Sequence, residues 1–148
     1  MLAPGDLAPE LGLPDADGRV WTLADLGGRP SVIAFYPKDG TPGCTRELCA
    51  FRDAPVALAA AQFLAISRDN ADSHRAFASQ HRLPFPLLAD VSGEVSKAYN
   101  AMSGLPFMRN NRRITYVIDY RCQVAHIFDP VQVDGHADEI LKVLAQLR

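Results

Sequence analysis

Two of the three cysteines in this 148-residue chain, Cys44 and Cys49, lie in one short stretch with a hydroxyl, two glycines and two prolines around them. The stretch reads Phe35-Tyr36-Pro37-Lys38-Asp39-Gly40-Thr41-Pro42-Gly43-Cys44-Thr45-Arg46-Glu47-Leu48-Cys49. It leaves an apolar run of strand character, turns through Pro and Gly, and enters a helical segment. That order puts Cys44 in a first helical turn, where unpaired N–H groups and the positive end of the helix dipole stabilise a thiolate. Thr41, three residues earlier, has a hydroxyl that can reach the same pocket. Gly40 and Gly43 let the backbone approach a small ligand, and Pro37 and Pro42 stiffen the loop and shield the sulfur. The chemistry these residues suit is nucleophilic attack by a sulfur, with Cys44 as the nucleophile.

Cys49 lies five residues further on. On an ideal helix this is a rise of ~7.5 Å and a rotation of ~140°, which separates the Cα atoms by roughly 8–9 Å. A disulfide tolerates about 7 Å, so the pair can bond only if the turn between them unwinds. The spacing therefore predicts a switch between a reduced helical form and an oxidised, locally unfolded one. The alternative is that Cys49 is a core residue beside Leu48 and Phe51. A zinc site is not expected, because Cys-x4-Cys has no second ligand pair and His74, His81, His126 and His136 are scattered. Cys122 falls in a predicted hairpin turn with no helix terminus to activate it and reads as a bystander.

The elements that must position these groups follow from the apolar patterning. Asp17-Gly18 before Arg19-Val20-Trp21-Thr22 predicts a short hairpin. Residues 31–36 predict a buried strand, residues 37–43 a loop, and residues 44–53 a helix. Asp53, two residues before Pro55, predicts the N-cap of a second helix through Ala61. A strand over 62–67 follows, then a helix capped at Asp69 or Asn70 that carries Ala71, His74, Phe77 and Ala78 on one face. An extended segment over 85–89, a helix over 93–100, and paired strands over 114–118 and 124–128 complete the middle. Ala137, Ile140, Leu141, Leu144 and Leu147 mark a final helix. Helices separating early strands, with a hairpin at the end, give a single α/β domain over residues 1–148 with a mixed central sheet flanked by helices.

Composition narrows the function. Fifteen Lys and Arg against seventeen Asp and Glu leave a net charge of −2, without the basic excess a nucleic-acid binder needs. No run reaches the ~18 apolar residues of a membrane span. The start, Met1-Leu2-Ala3-Pro4-Gly5-Asp6, lacks a signal-peptide pattern, so a cytoplasmic location is expected. Three cysteines are too few, and odd in number, for a disulfide scaffold.

The segment Pro37-x3-Thr41-Pro42-Gly43-Cys44-Thr45 resembles the active-site signature of the peroxiredoxins. Its flanks, Phe35-Tyr36-Pro37-Lys38 and Phe51-Arg52-Asp53, are similar to the subfamily called bacterioferritin comigratory protein or peroxiredoxin Q. Gly5-Asp6-x-Ala8-Pro9, Leu13-Pro14-Asp15, Ser73-His74, Leu83-Pro84-Phe85-Pro86-Leu87-Leu88-Ala89-Asp90 and Arg113-Ile114-Thr115-Tyr116-Val117-Ile118-Asp119 fall in family order. The resemblance implies a thioredoxin-like fold and a thiol peroxidase. It makes Cys44 the peroxidatic cysteine and Cys49 the resolving one, with Thr41 hydrogen-bonding the thiolate and the peroxide. Pro37 would cover the pocket, and Arg113 would be the active-site arginine, with Arg112 the alternative. Glu47 departs from the subfamily, where Gln is usual, and is expected to orient Arg113 or Arg46.

The expected cycle needs no metal, flavin or haem. Cys44 attacks a peroxide and becomes a sulfenic acid, Cys49 closes an intramolecular disulfide, and a dithiol such as thioredoxin reduces it. Hydrogen peroxide suits a small pocket, while Leu105-Pro106-Phe107-Met108 could form an apolar rim for organic hydroperoxides. The resemblance favours a monomer. Two other functions use the same residues: a peroxide sensor that signals through the Cys44–Cys49 switch, and a thioredoxin-like disulfide oxidoreductase, against which stands the lack of Cys-x-x-Cys.

Overall fold

The structure, a computed structural model, describes residues 1–103 and 110–147. The N-terminal hairpin pairs β1 (Leu13–Pro14) with β2 (Val20–Trp21), antiparallel, across the Asp17-Gly18 turn. After a short 3-10 turn over Leu23–Leu26 comes β3 (Ser31–Phe35), then α1 (Pro42–Arg52), α2 (Pro55–Ala60) and β4 (Gln62–Ser67). α3 (Ala71–His81), β5 (Leu87–Ala89) and α4 (Glu94–Ala98) follow, and β6 (Ile114–Ile118), β7 (Val124–Phe128) and α5 (His136–Gln146) end the chain. The five-stranded sheet has the order β5-β4-β3-β6-β7. β3 and β4 are parallel, as are β4 and β5, while β6 runs antiparallel to both β3 and β7. The sheet is mixed, as the pattern predicts.

Period-two alternation along the central strands divides the core in two. Val32, Ala34, Phe63, Ala65 and Val117 face one side, where Leu48 and Phe51 of α1, Ala57 of α2 and Ile140 and Leu144 of α5 close over them. Ile33, Phe35, Leu64, Ile66, Tyr116 and Ile118 face the other, under Leu11, Leu13, Leu26, Tyr99 and Ala101. Both faces of β3 are covered, which is why its five residues are all buried and apolar apart from Ser31. Among the described residues no helix is long and apolar enough to cross a membrane.

Two boundaries beside the cysteine helix differ from expectation. α1 begins at Pro42 rather than at Cys44, because Pro is pre-set for the first helical position and gives up no hydrogen bond there. Cys44 is thus the third helical residue. Asp53 does not cap α2. It is the C-cap of α1, its carboxylate takes two hydrogen bonds from Arg52 (2.9 and 3.0 Å), and Ala54 occupies the α2 N-cap. α3 is capped by Asn70, whose side chain accepts from the Ser73 amide at 2.9 Å.

Candidate active site

Cys44 sits at the C-terminal end of β3, where the chain leaves the sheet and starts α1. Tyr36 continues the strand by one hydrogen bond to the Ile66 carbonyl, and Pro37 then breaks the ladder. Thr41 takes extended backbone angles at the N-cap, and its carbonyl accepts the first helical bond from Thr45 at 2.9 Å. The Cys44 sulfur is fully buried. Arg113, the residue before β6, reaches it from across the sheet, with Nη2 donating to Sγ at 3.3 Å. Gly43 makes room for this: a Cβ there would stand 3.2 Å from Arg113 Nη2.

Arg113 is itself held by Glu47, one turn along α1 from Cys44. Nη1 donates to Glu47 Oε1 at 2.6 Å. Glu47 is fully buried, and its Oε2 has no hydrogen-bond partner. Burial pushes this carboxyl up to about 7 despite the opposing pull of Arg113. Burial also works against the Arg113 charge, but its interactions with Glu47 and Cys44 more than offset this and raise the guanidinium further. Arg113 therefore remains a cation and bridges the sulfur and the carboxyl.

The neighbouring alternatives are placed elsewhere. Arg112 makes a two-pronged pair with Asp129 (2.7 and 2.9 Å) and a bond to the Asn100 carbonyl. Arg46 lies on the surface and meets Asp134 at 3.4 Å. Of the two arginines expected as Glu47 partners, Arg113 is the one that meets it. Pro37 is half-buried beside the loop. The Thr41 hydroxyl donates to the Lys38 carbonyl at 2.9 Å, so its proton closes the loop on itself rather than pointing at the sulfur.

His136, the first residue of α5, extends the polar interior of the site. Its Nε2 lies 2.9 Å from the Thr115 hydroxyl, two residues along β6 from Arg113, and its ring packs against Phe51 and Phe128. Burial lowers its pKa to about 4, and the Glu139 carboxylate only partly restores it, so the ring is neutral at pH 7. Cys49 is half-buried on α1, while its neighbours Leu48 and Phe51 are the ones that fill the core. Both Cys44 and Cys49 are free thiols.

Residues 4–127 match the AhpC/TSA family. The chain belongs to that family. It is 40% identical over 149 residues to chloroplastic peroxiredoxin Q of Triticum aestivum, an alignment spanning 99% of this chain and 68% of the relative. The crystal structure of peroxidoxin BcpB from Mycobacterium tuberculosis superposes with a TM-score of 0.90 at 34% identity, covering 100% of this chain and 99% of that one. The Xanthomonas campestris bacterioferritin comigratory protein, studied for its alkyl peroxide reduction, superposes with a TM-score of 0.85 at 31% identity, covering 98% and 96%. The protein is a peroxiredoxin, a thiol peroxidase of the peroxiredoxin Q and bacterioferritin comigratory protein type, on a thioredoxin-like fold.

In this peroxiredoxin Cys122 stands apart from the site. It closes the β6–β7 turn with φ +64°, and its Sγ donates to the Leu23 carbonyl at 3.5 Å. Burial, with Asp119 and Glu10 nearby, pushes its thiol up, which disfavours the thiolate. The rim expected from Leu105-Pro106-Phe107-Met108 lies outside the described residues. What the motif reading missed is the polar cluster behind the loop, Tyr36, Asp39, Ser67, Asp69, Ser73 and His74. Ser73-His74 was visible as a family-like pair, but nothing in its spacing shows that it meets Asp39, thirty-five residues away for His74.

Proposed function

We propose that this peroxiredoxin reduces hydrogen peroxide and organic hydroperoxides through Cys44, resolves the product with Cys49 in the same chain, and is recycled by thioredoxin or a similar dithiol. The observation that carries the reading is the bridge of Arg113 from Glu47 to the Cys44 sulfur at the start of α1, with a second thiol on the same helix.

The Cys44 thiolate attacks the terminal oxygen of the peroxide, an S–O bond forms as the O–O bond breaks, and the alkoxide or hydroxide leaves and takes up a proton. Charge passes from sulfur to the leaving oxygen. Arg113 and the Gly43 and Cys44 amides of the first turn are the donors available to that charge. Thr41 would join them by turning its hydroxyl from the Lys38 carbonyl, a single χ1 rotation. Pro37 shields the sulfur side. The Cys44 sulfenic acid then meets the Cys49 thiol, a disulfide forms and water is lost.

That second step requires α1 to open at its Cys44 end. Leu48 and Phe51 hold the other end in the core, each by about 1.5–3 kcal/mol. Pro42 is exposed, and Gly43 costs about 1 kcal/mol of helix stability relative to Ala. The first turn is therefore the cheaper part to unwind. Opening it leaves Cys49 on an anchored segment and carries Cys44 to it.

The domain is read as residues 1–148, acting as a monomer in the cytoplasm and needing no cofactor. A coupled assay with thioredoxin, its reductase and NADPH tests the reading. Turnover with both hydrogen peroxide and cumene hydroperoxide, abolished in Cys44→Ser, is expected. Oxidation that stops after one equivalent in that system would point to the sensor instead.

A further inference from the structure

Behind the loop that leads to Cys44 lies a buried polar hub that the peroxidase chemistry does not use. Its centre is Asp39, whose side chain is only 5% exposed. Oδ1 accepts from the Tyr36 hydroxyl at 2.5 Å. Oδ2 lies 2.7 Å from His74 Nδ1 and accepts from the Ser73 hydroxyl at 2.9 Å. The Asp39 amide donates to Asp69 Oδ2 at 2.9 Å, and Asp69 is fixed in turn by the Ser67 hydroxyl at 2.6 Å. The far side of the His74 ring, Nε2, faces the Leu88 carbonyl at 3.0 Å.

The donor inventory decides what this arrangement is. His74 bridges two acceptors, the Asp39 carboxylate at Nδ1 and the Leu88 carbonyl at Nε2, so the ring ties the loop to β5 through both of its nitrogens. Tyr36 donates as well, and burial beside Asp39 holds its phenol well above the ordinary range, so it stays a donor. The set of Asp39, Asp69 and His74 has the residue types of a metal site. The oxygens that a metal would take are already occupied by protein donors, which makes the cluster a clamp.

The clamp joins five parts of the fold at one loop residue: the end of β3, the end of β4, the first turns of α3, β5 through its Leu88 carbonyl, and the loop itself. Asp39 stands two residues before the α1 N-cap and five before Cys44. From the other side, Glu47 fixes Arg113. The sulfur thus meets the guanidinium at 3.3 Å because both approaches are held, one by Glu47 and one by Asp39.

We propose that Asp39 and His74, with Tyr36, are positioning residues of the peroxidase: they hold the loop so that Cys44 faces Arg113, and they set how readily the first turn of α1 lets go once Cys44 is oxidised. The proposal rests on the resolving step described above. A firm clamp favours attack on peroxide and delays disulfide formation, whereas a loose one does the reverse.

The test measures two rates on the reduced full-length protein. One is the second-order rate of Cys44 oxidation by hydrogen peroxide in stopped flow. The other is the rate of disulfide formation, read alongside the peroxide concentration at which half of Cys44 becomes sulfinic acid during turnover. Asp39→Asn is the direct variant. Tyr36→Phe removes one hydroxyl without unpairing a buried charge, and serves if Asp39→Asn does not fold. Loss of alignment between sulfur and guanidinium should slow oxidation by roughly 10–100-fold. Disulfide formation should at the same time accelerate, and sulfinic acid should appear only at higher peroxide. His74→Gln, which restores only part of the donor set, should fall between wild type and Asp39→Asn.

A merely structural role would lower the melting temperature and leave both rates unchanged, or slow both together, and either result overturns the proposal. If the wild-type protein itself forms no Cys44–Cys49 bond, the resolving step fails first, and a slowed oxidation in the variants would still support the positioning half.

Discussion

Arg113 donates to Glu47 at 2.6 Å inside the protein, and the carboxylate it meets has a second oxygen with no partner. A half-buried cation and a buried acid that share one contact make a proton-sensitive pair. When Glu47 is protonated, the full Arg113 charge is available to the sulfur and to the oxygen leaving the peroxide. When Glu47 ionises, part of that charge is spent on it.

Because burial places the Glu47 carboxyl at about 7, the oxidation rate of the wild-type protein should carry an inflection near neutrality. Glu47→Gln keeps the hydrogen bond to Arg113 and removes the proton. Stopped-flow oxidation followed across neutrality should show that inflection in the wild type and not in the variant. The same inflection in both would separate Glu47 from the rate.

The same groups bear on stability, with opposite signs. Glu47 takes up a proton on folding between its ordinary 4.5 and about 7, so its contribution is full below 4.5 and is lost as pH rises through 7. His136 gives up a proton on folding between about 4 and its ordinary 6.5, so its contribution is lost as pH falls through that window. From about 4.5 to 6.5 the two slopes cancel. Denaturant titrations of Glu47→Gln should therefore show stability falling on acidification by about 1.4 kcal/mol per pH unit in that window, where the wild type changes little. A flat profile in the variant would contradict the assignment.

Arg113→Ala should slow Cys44 oxidation by about 10²–10³-fold, the usual cost of losing a donor to developing negative charge. Arg112→Ala breaks the pair with Asp129 and the bond to the Asn100 carbonyl, neither of which touches the sulfur, and should oxidise at the wild-type rate. Equal effects of the two substitutions would mean that net charge, not the contact with the sulfur, is what matters. Stopped-flow oxidation of both variants makes the comparison.

Cys49→Ser should oxidise once at the wild-type rate and then fail to turn over with thioredoxin. Its Cys44 should pass readily to sulfinic acid, because no thiol arrives to intercept the sulfenic acid. Intact-mass measurement after successive peroxide additions reads both results. Normal thioredoxin-coupled turnover in this variant would assign resolution elsewhere.

Much of this was legible in the residues because the signals are local. The strand over 62–67, the hairpin of β6 and β7, and Cys44 in a first helical turn all follow from periodicity, turn chemistry and one motif. α1 starts two residues before the expected Cys44: the loop's Pro42 and Gly43 look like turn residues, yet Pro also opens helices. Asp53 ends α1 instead of opening α2 for a related reason: a capping residue before a proline serves equally as the end of the preceding helix. Thr41 was expected to bond the sulfur, but its hydroxyl satisfies the nearer Lys38 carbonyl, a local bond that the sequence does not rank against the distant one. The Asp39–His74 clamp escaped for a different reason. It joins groups from five segments, and spacing along a chain carries no information about contacts across a sheet.

The central claim is that Cys44 and Cys49 form the catalytic pair. A mass-spectrometric disulfide map of the reduced protein after one equivalent of hydrogen peroxide tests it most directly. The expected result is a Cys44–Cys49 bond within one chain, which the intact helix forbids and an opened first turn allows. A Cys44–Cys122 bond, a bond between chains, or sulfinic acid at Cys44 with Cys49 still free would contradict it.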